Sequence, residues 1–127
     1  MSRQRPTIFI VDDDDAVRDS LRFLLESYDC EVEDYGTTQD FLRAFRPREK
    51  QCLVLDQHLP GETGLEFLES IDGASLRIPT IMLSGGGDRS LAERATKAGV
   101  VAYFHKPLDN AILLATIFKA MGIAPPH

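Results

Sequence analysis

Basic residues are in short supply in this 127-residue sequence, where 14 Lys and Arg face 20 Asp and Glu for a net charge of −6. That balance argues against this segment gripping nucleic acid or an anionic membrane, because phosphate binding needs clustered Lys and Arg. No run of about 18 apolar residues is present, so a transmembrane helix is not expected. Met1 to Pro6 leads into a short strand rather than a signal-peptide core, and the expected compartment is the cytoplasm. Cysteine is confined to Cys30 and Cys52, which lack CxxC or metal spacing and are expected as reduced, structural thiols. Low-complexity tracts are absent as well. What is left is the composition of an ordinary globular protein, 43% hydrophobic and 27% charged, long enough as one domain to bury roughly two-thirds of its unfolded surface.

The chain is organised around Leu53-Val54-Leu55-Asp56, an apolar run that ends in a carboxylate and then turns at Pro60-Gly61. Such a run fits a strand buried on both faces of a parallel sheet. Thr7 to Val11 is a second buried strand, ending at the acidic run Asp12 to Asp15. From Ala16 the period becomes helical, with Val17, Leu21, Leu24 and Tyr28 on one face. Glu31 to Tyr35 alternates as a half-exposed strand at or near a sheet edge, and Thr37 or Thr38 caps a helix that turns Phe41, Leu42 and Phe45 inward and stops before Pro47.

Thr63 and Glu66 have capping-box spacing for a helix burying Leu65, Leu68 and Ile71, with Gly73 ending it. Pro79 to Leu83 is a further strand, running into Ser84-Gly85-Gly86-Gly87, and Asp88 caps a weakly apolar helix of Leu91, Ala92, Ala95 and Ala98 that closes at Gly99. Val100 to His105 is the fifth strand, and the last helix spans about Asp109 to Met121. Five alternations of strand and helix imply one doubly wound parallel sheet with helices on both faces. Periodicity does not choose between the two common strand orders.

Asp12 and Asp13, Asp56, Ser84 and Lys106 all follow strand ends, and so share one edge of the sheet. Parallel strands lie about 5 Å apart, and ligands of open α/β sheets bind at this edge. Three carboxylates repel unless a cation joins them, one Lys is too few, and hard oxygen ligands favour Mg²⁺. An Asp oxygen can attack phosphorus if the charge on the transferring group is neutralised. A serine hydroxyl nearby suits a phosphoryl oxygen.

With Asp12-Asp13, Asp56 followed by Pro60 and Gly64, Ser84-Gly85, and Tyr103 three residues before Lys106-Pro107, the chain resembles the receiver domains of two-component response regulators over about residues 7–121. Residues 1–127 then form one receiver domain, with 122–127 as a tail or the start of a linker. Val11 to Asp14, Ser84 to Asp88 and Lys106-Pro107 are most similar to the branch that includes nitrogen-fixation and LuxR-type transcription regulators. The resemblance implies a flavodoxin-like strand order 2-1-3-4-5 and a cis peptide at Lys106-Pro107. It implies that Asp56 accepts a phosphoryl group from a sensor histidine kinase or phosphotransfer protein. Asp13, Asp56 and the backbone carbonyl of His58 would hold Mg²⁺, with Asp12 acting mostly through a water of the metal. Lys106 would pair with the phosphoryl group or Asp56, Ser84 would move inward to the phosphoryl group, and Tyr103 would follow as the switch aromatic. The surface of the fourth helix, fifth strand and fifth helix would then change to control an output, transcription in this branch.

Some positions depart from the usual family pattern: Leu59 stands where Met is common, and Ser84 replaces Thr but keeps the hydroxyl. His58 and Gly86 flank the path of an attacking water and are expected to set the lifetime of the phosphoryl group. On the last helix Leu113, Ile117, Ala120 and Met121 make a core face, while Ala111, Leu114, Ala115 and Phe118 make a second stripe, expected as a partner surface for a homodimer or an output domain. His105 and His127 are expected at the surface. The rival function is a Mg²⁺-dependent phosphohydrolase with an aspartyl-phosphate intermediate. Its best-known form needs a second acid where His58 stands, and a cap domain that this chain lacks.

Overall fold

The structure is a computed structural model and describes residues 5–71, 76–86 and 89–124. Among the described residues five strands alternate with five helices: β1 (Thr7–Val11), α1 (Asp15–Glu26), β2 (Glu31–Tyr35), α2 (Thr38–Ala44), β3 (Gln51–Asp56), α3 (Gly64–Ser70), β4 (Thr80–Ser84), α4 (Arg89–Lys97), β5 (Val100–His105) and α5 (Asn110–Ala120). All neighbouring strands are parallel, in the order β2-β1-β3-β4-β5.

Burial follows from that order. The inner strands β1 and β4 are buried at every residue and β3 at all but its first, whereas the edge strands β2 and β5 are partly exposed. Alternate side chains feed two cores. Ile8, Ile10, Val54, Ile81 and Leu83 pack with α1 and α5, while Phe9, Val11, Leu53, Leu55 and Met82 pack with residues of α2, α3 and α4.

Local chemistry sets the helix starts. Asp14 caps α1 by accepting from the amides of Ala16 and Val17, Thr37 caps α2, Thr63 and Glu66 form the expected capping box on α3, and Asp109 caps α5. Gly99 takes φ +98° after α4, a conformation open to glycine. Burial pushes the thiols of Cys30 and Cys52 up to about 11 and about 12, so both stay protonated.

Three assignments of facing are corrected. Leu25, not Leu24, is the buried leucine late in α1. Leu42 is 43% exposed, because the short helix α2 turns only Phe41 fully into the core. The second stripe of α5 is no partner surface at its large residues: Leu114 and Phe118 are buried in the same core as Leu113 and Ile117, leaving Ala111, Ile112 and Ala115 outward. A helix touching its core over so wide an arc shows two apolar stripes without having two functions. The strand expected from Pro79 begins at Thr80. Gly73, Gly87, Asp88 and His127 lie outside the described residues.

Candidate functional site at the carboxyl edge of the sheet

Each acid reaches the edge because its strand ends there. Asp56 is the last residue of β3 and is 2% exposed, Asp12 follows β1 at 1%, and Asp13 beside it is exposed. One carboxylate oxygen from each of Asp12, Asp13 and Asp56 falls in a cluster spanning no more than 4.8 Å, able to hold a metal ion. The Lys106 Nζ reaches in from the end of β5, 3.4 Å from Asp56 Oδ1 and 3.5 Å from Asp12 Oδ2. Its own amide donates to the Ser84 carbonyl at 2.8 Å, and the Lys106-Pro107 peptide that follows is cis, as expected.

The electrostatics of the cluster are strained toward a cation. Burial raises the pKa of Asp12, and the neighbouring Asp56 charge adds to it, against the Asp14 amide and Lys106, which stabilise the carboxylate. Burial alone would depress the Lys106 ammonium, yet Asp12 and Asp56 outweigh it and hold its pKa above the ordinary value. Three acids are thus balanced by one half-buried lysine, and hard oxygen donors of this kind suit a divalent cation.

Ser84 ends β4 and is fully buried; its Oγ accepts from the Gly86 amide at 3.1 Å and lies 3.3 Å from His58 Nε2. The His58 side chain is exposed, and its backbone amide donates to Asp56 Oδ1 at 3.3 Å. Tyr103 packs on the second core, edge-on to the ring of the exposed His105 at 5.3 Å. Its hydroxyl is buried with no hydrogen-bond partner among the described residues, so the phenol already points inward.

The supporting roles of Gln57 and Arg18 escaped the sequence reading, and Gly64 was read there only as part of the motif. Gln57 is buried, and its Oε1 accepts from the Leu65 amide at 2.9 Å while its carbonyl accepts from Gly64 at 3.0 Å, tying the loop after Asp56 to the start of α3. Gly64 must be glycine there, since a Cβ would meet the Asp56 carbonyl at 2.6 Å. Arg18 of α1 donates to the Asp12 carbonyl at 2.6 Å and to Asp34 at 3.0 Å, and it also bonds Asp15. A polar residue directly after a buried run was the available signal for Gln57; nothing in the spacing of Arg18 announces a backbone acceptor.

A doubly wound sheet with three acids, a lysine and a hydroxyl at its carboxyl edge defines a receiver-type domain. The chain belongs to the response regulator receiver domain family, whose model matches residues 8–118. It is 37% identical over 115 residues to the transcriptional regulatory protein FixJ of Azorhizobium caulinodans, covering 91% of this chain and 54% of that protein. It is 36% identical over 125 residues to the response regulator protein TodT of Pseudomonas putida, covering 98% of this chain and 55% of TodT. The response regulator StyR superposes with a TM-score of 0.85 at 39% identity, over 94% of this chain and 60% of that one. The chain spans about half the length of the curated relatives it matches. Among the described residues no helix is long and apolar enough to cross a membrane.

Proposed function

We propose that this chain is the phosphoacceptor of a two-component phosphorelay, with Asp56 as the acceptor. A carboxylate oxygen of Asp56 attacks the phosphorus of a donor phosphohistidine, the P–N bond breaks, and the imidazole leaves with its electron pair and takes up a proton. The observation that carries the reading is Lys106 Nζ set between Asp56 and Asp12, with a third carboxylate beside them. Lys106 neutralises charge on the transferring group and Ser84 offers its hydroxyl to a phosphoryl oxygen. Mg²⁺ is the proposed cofactor, held by Asp13, Asp56 and the His58 carbonyl, with Asp12 acting through an intervening water. When bound it supplies further charge neutralisation on the phosphoryl group.

The donor is a sensor histidine kinase or phosphotransfer protein. An apolar groove of Ala16, Val17, Leu21, Pro107 and Leu108 opens next to Lys106, and Phe23 of α1 is 79% exposed, which suits docking of a donor beside the acceptor. The chain catalyses only its own phosphorylation and dephosphorylation, with His58 and Gly86 beside the water path. The output is control of transcription through the surface of α4, β5 and α5. A homodimer through α5 would use its outward residues Ala111, Ile112 and Ala115, and not Leu114 or Phe118.

Incubation with acetyl phosphate and Mg²⁺ tests the acceptor. One phosphoryl group is expected on the intact protein and none on Asp56→Asn. Modification of Asp56→Asn at the same rate, or turnover of phosphomonoesters as a phosphohydrolase would show, overturns the reading.

A further inference from the structure

We infer that His58 is a positioning residue that latches Ser84 in its resting place, opposing the movement of the hydroxyl to the phosphoryl group. The inference rests on Asp56 as the acceptor and concerns which contact must break when that site is filled.

The two residues belong to different segments, His58 in the loop after β3 and Ser84 at the end of β4, joined by a 3.3 Å contact between Nε2 and Oγ. A serine hydroxyl has one proton to give and two lone pairs to fill. The Gly86 amide takes one lone pair at 3.1 Å, and the Gly86 carbonyl lies within reach of the proton at 3.4 Å. If Nε2 carries hydrogen it donates into the second lone pair; if it is bare it receives the hydroxyl proton. In both tautomers the hydroxyl proton is already committed, to the Gly86 carbonyl or to Nε2, before any phosphoryl group arrives.

Which bond gives way follows from what moves together. Gly86 lies two residues from Ser84 in the same loop and travels with it. His58 is rooted elsewhere, with its amide on Asp56 Oδ1 at 3.3 Å, so its imidazole stays near the acceptor when Ser84 leaves. A Cβ added at Gly86 would lie 3.9 Å from Nε2, so the imidazole does not crowd Gly86. One bond of this kind is worth roughly a two- to ten-fold shift in the switching equilibrium.

The test is the affinity for beryllofluoride at fixed Mg²⁺, followed by fluorine NMR. This phosphoryl mimic draws on the same movement of Ser84, and its equilibrium binding is independent of how fast water removes a real phosphoryl group. His58→Ala is expected to bind roughly two- to ten-fold tighter than the wild type. His58→Gln, whose amide can occupy the place of Nε2, is expected to return toward the wild-type value. The effect of His58→Ala should vanish in a Ser84→Ala background. Unchanged or weaker binding by His58→Ala, no return with His58→Gln, or the same gain in the Ser84→Ala background overturns the latch. A wild type that binds no beryllofluoride overturns the reading of the site itself, a distinct result.

Discussion

Arg18 Nη1 donates to the backbone carbonyl of Asp12 at 2.6 Å, so the strand end that presents the first acids is held from α1. The arginine is mostly buried, and a Cβ at Gly36 would come within 3.3 Å of the same nitrogen, so a side chain at position 36 would crowd the guanidinium. Arg18→Met is expected to lower the unfolding free energy by about 1.5–3 kcal/mol, the worth of hydrogen bonds to a charged group. Urea unfolding gives that number, and calorimetric titration with Mg²⁺ should show weaker binding. No change in either measurement would release Arg18 from this role.

Asp34 titrates against the same arginines. Burial works to raise its pKa, but Arg22 and then Arg18 outweigh it and hold the carboxyl below its ordinary value. A depressed folded pKa gives stability that is present above the unfolded value, about 3.9, and is lost as pH falls through the folded one. Asp34→Asn should therefore be less stable than the wild type at neutral pH, with the gap closing as pH drops below about 4. A gap that is constant with pH would mean that the charge is not what matters.

Removing Lys106 tests the balance of charges. Lys106→Met should slow phosphorylation by acetyl phosphate by about 100-fold, the usual loss of one donor at a developing charge. The accumulation of phosphorylated protein in a mass-spectrometric time course measures it, and a rate near that of the wild type would remove the lysine from the chemistry.

The packing of α5 separates core from surface. Phe118→Ala should destabilise by about 3–5 kcal/mol, as deletion of a buried aromatic does. Ile112→Ser, at a side chain 54% exposed, should stay within about 0.5 kcal/mol of the wild type. The opposite pattern in denaturant unfolding would restore the outward stripe.

Both cysteines are buried, with thiol pKa values pushed up by burial to about 11 and about 12. A chromogenic thiol reagent at neutral pH should find neither in the folded protein and both after denaturation. Rapid labelling under native conditions would mean that one of the cores opens.

The inner strands were legible because burial on both faces writes a continuous apolar run, as in Thr7–Val11 and Leu53–Leu55. The cap at Thr63 was legible because a capping box depends on spacing of a few residues. Phe118 was misread because apolar periodicity reports that a side chain is apolar on a given face, not what that face meets. Asp12, Asp56, Ser84 and Lys106 could be placed on one edge, since a parallel sheet brings its strand ends together. The contacts of His58 with Ser84 and of Arg18 with Asp12 were not legible. One joins loops 26 residues apart and the other ends on a carbonyl that every residue possesses.

Asp12 and Lys106 meet at 3.5 Å across 94 residues of chain. Synthesis runs from the amino end, so the carboxylates of β1 and β3 leave the ribosome well before the lysine that balances them. Until β5 adds to the edge of β4, the pocket holds only like charges. The last strand to be made is therefore also the one that completes the charge of the site, and a chain stopped short of it would keep its acids and lose its only neutralising side chain among the described residues.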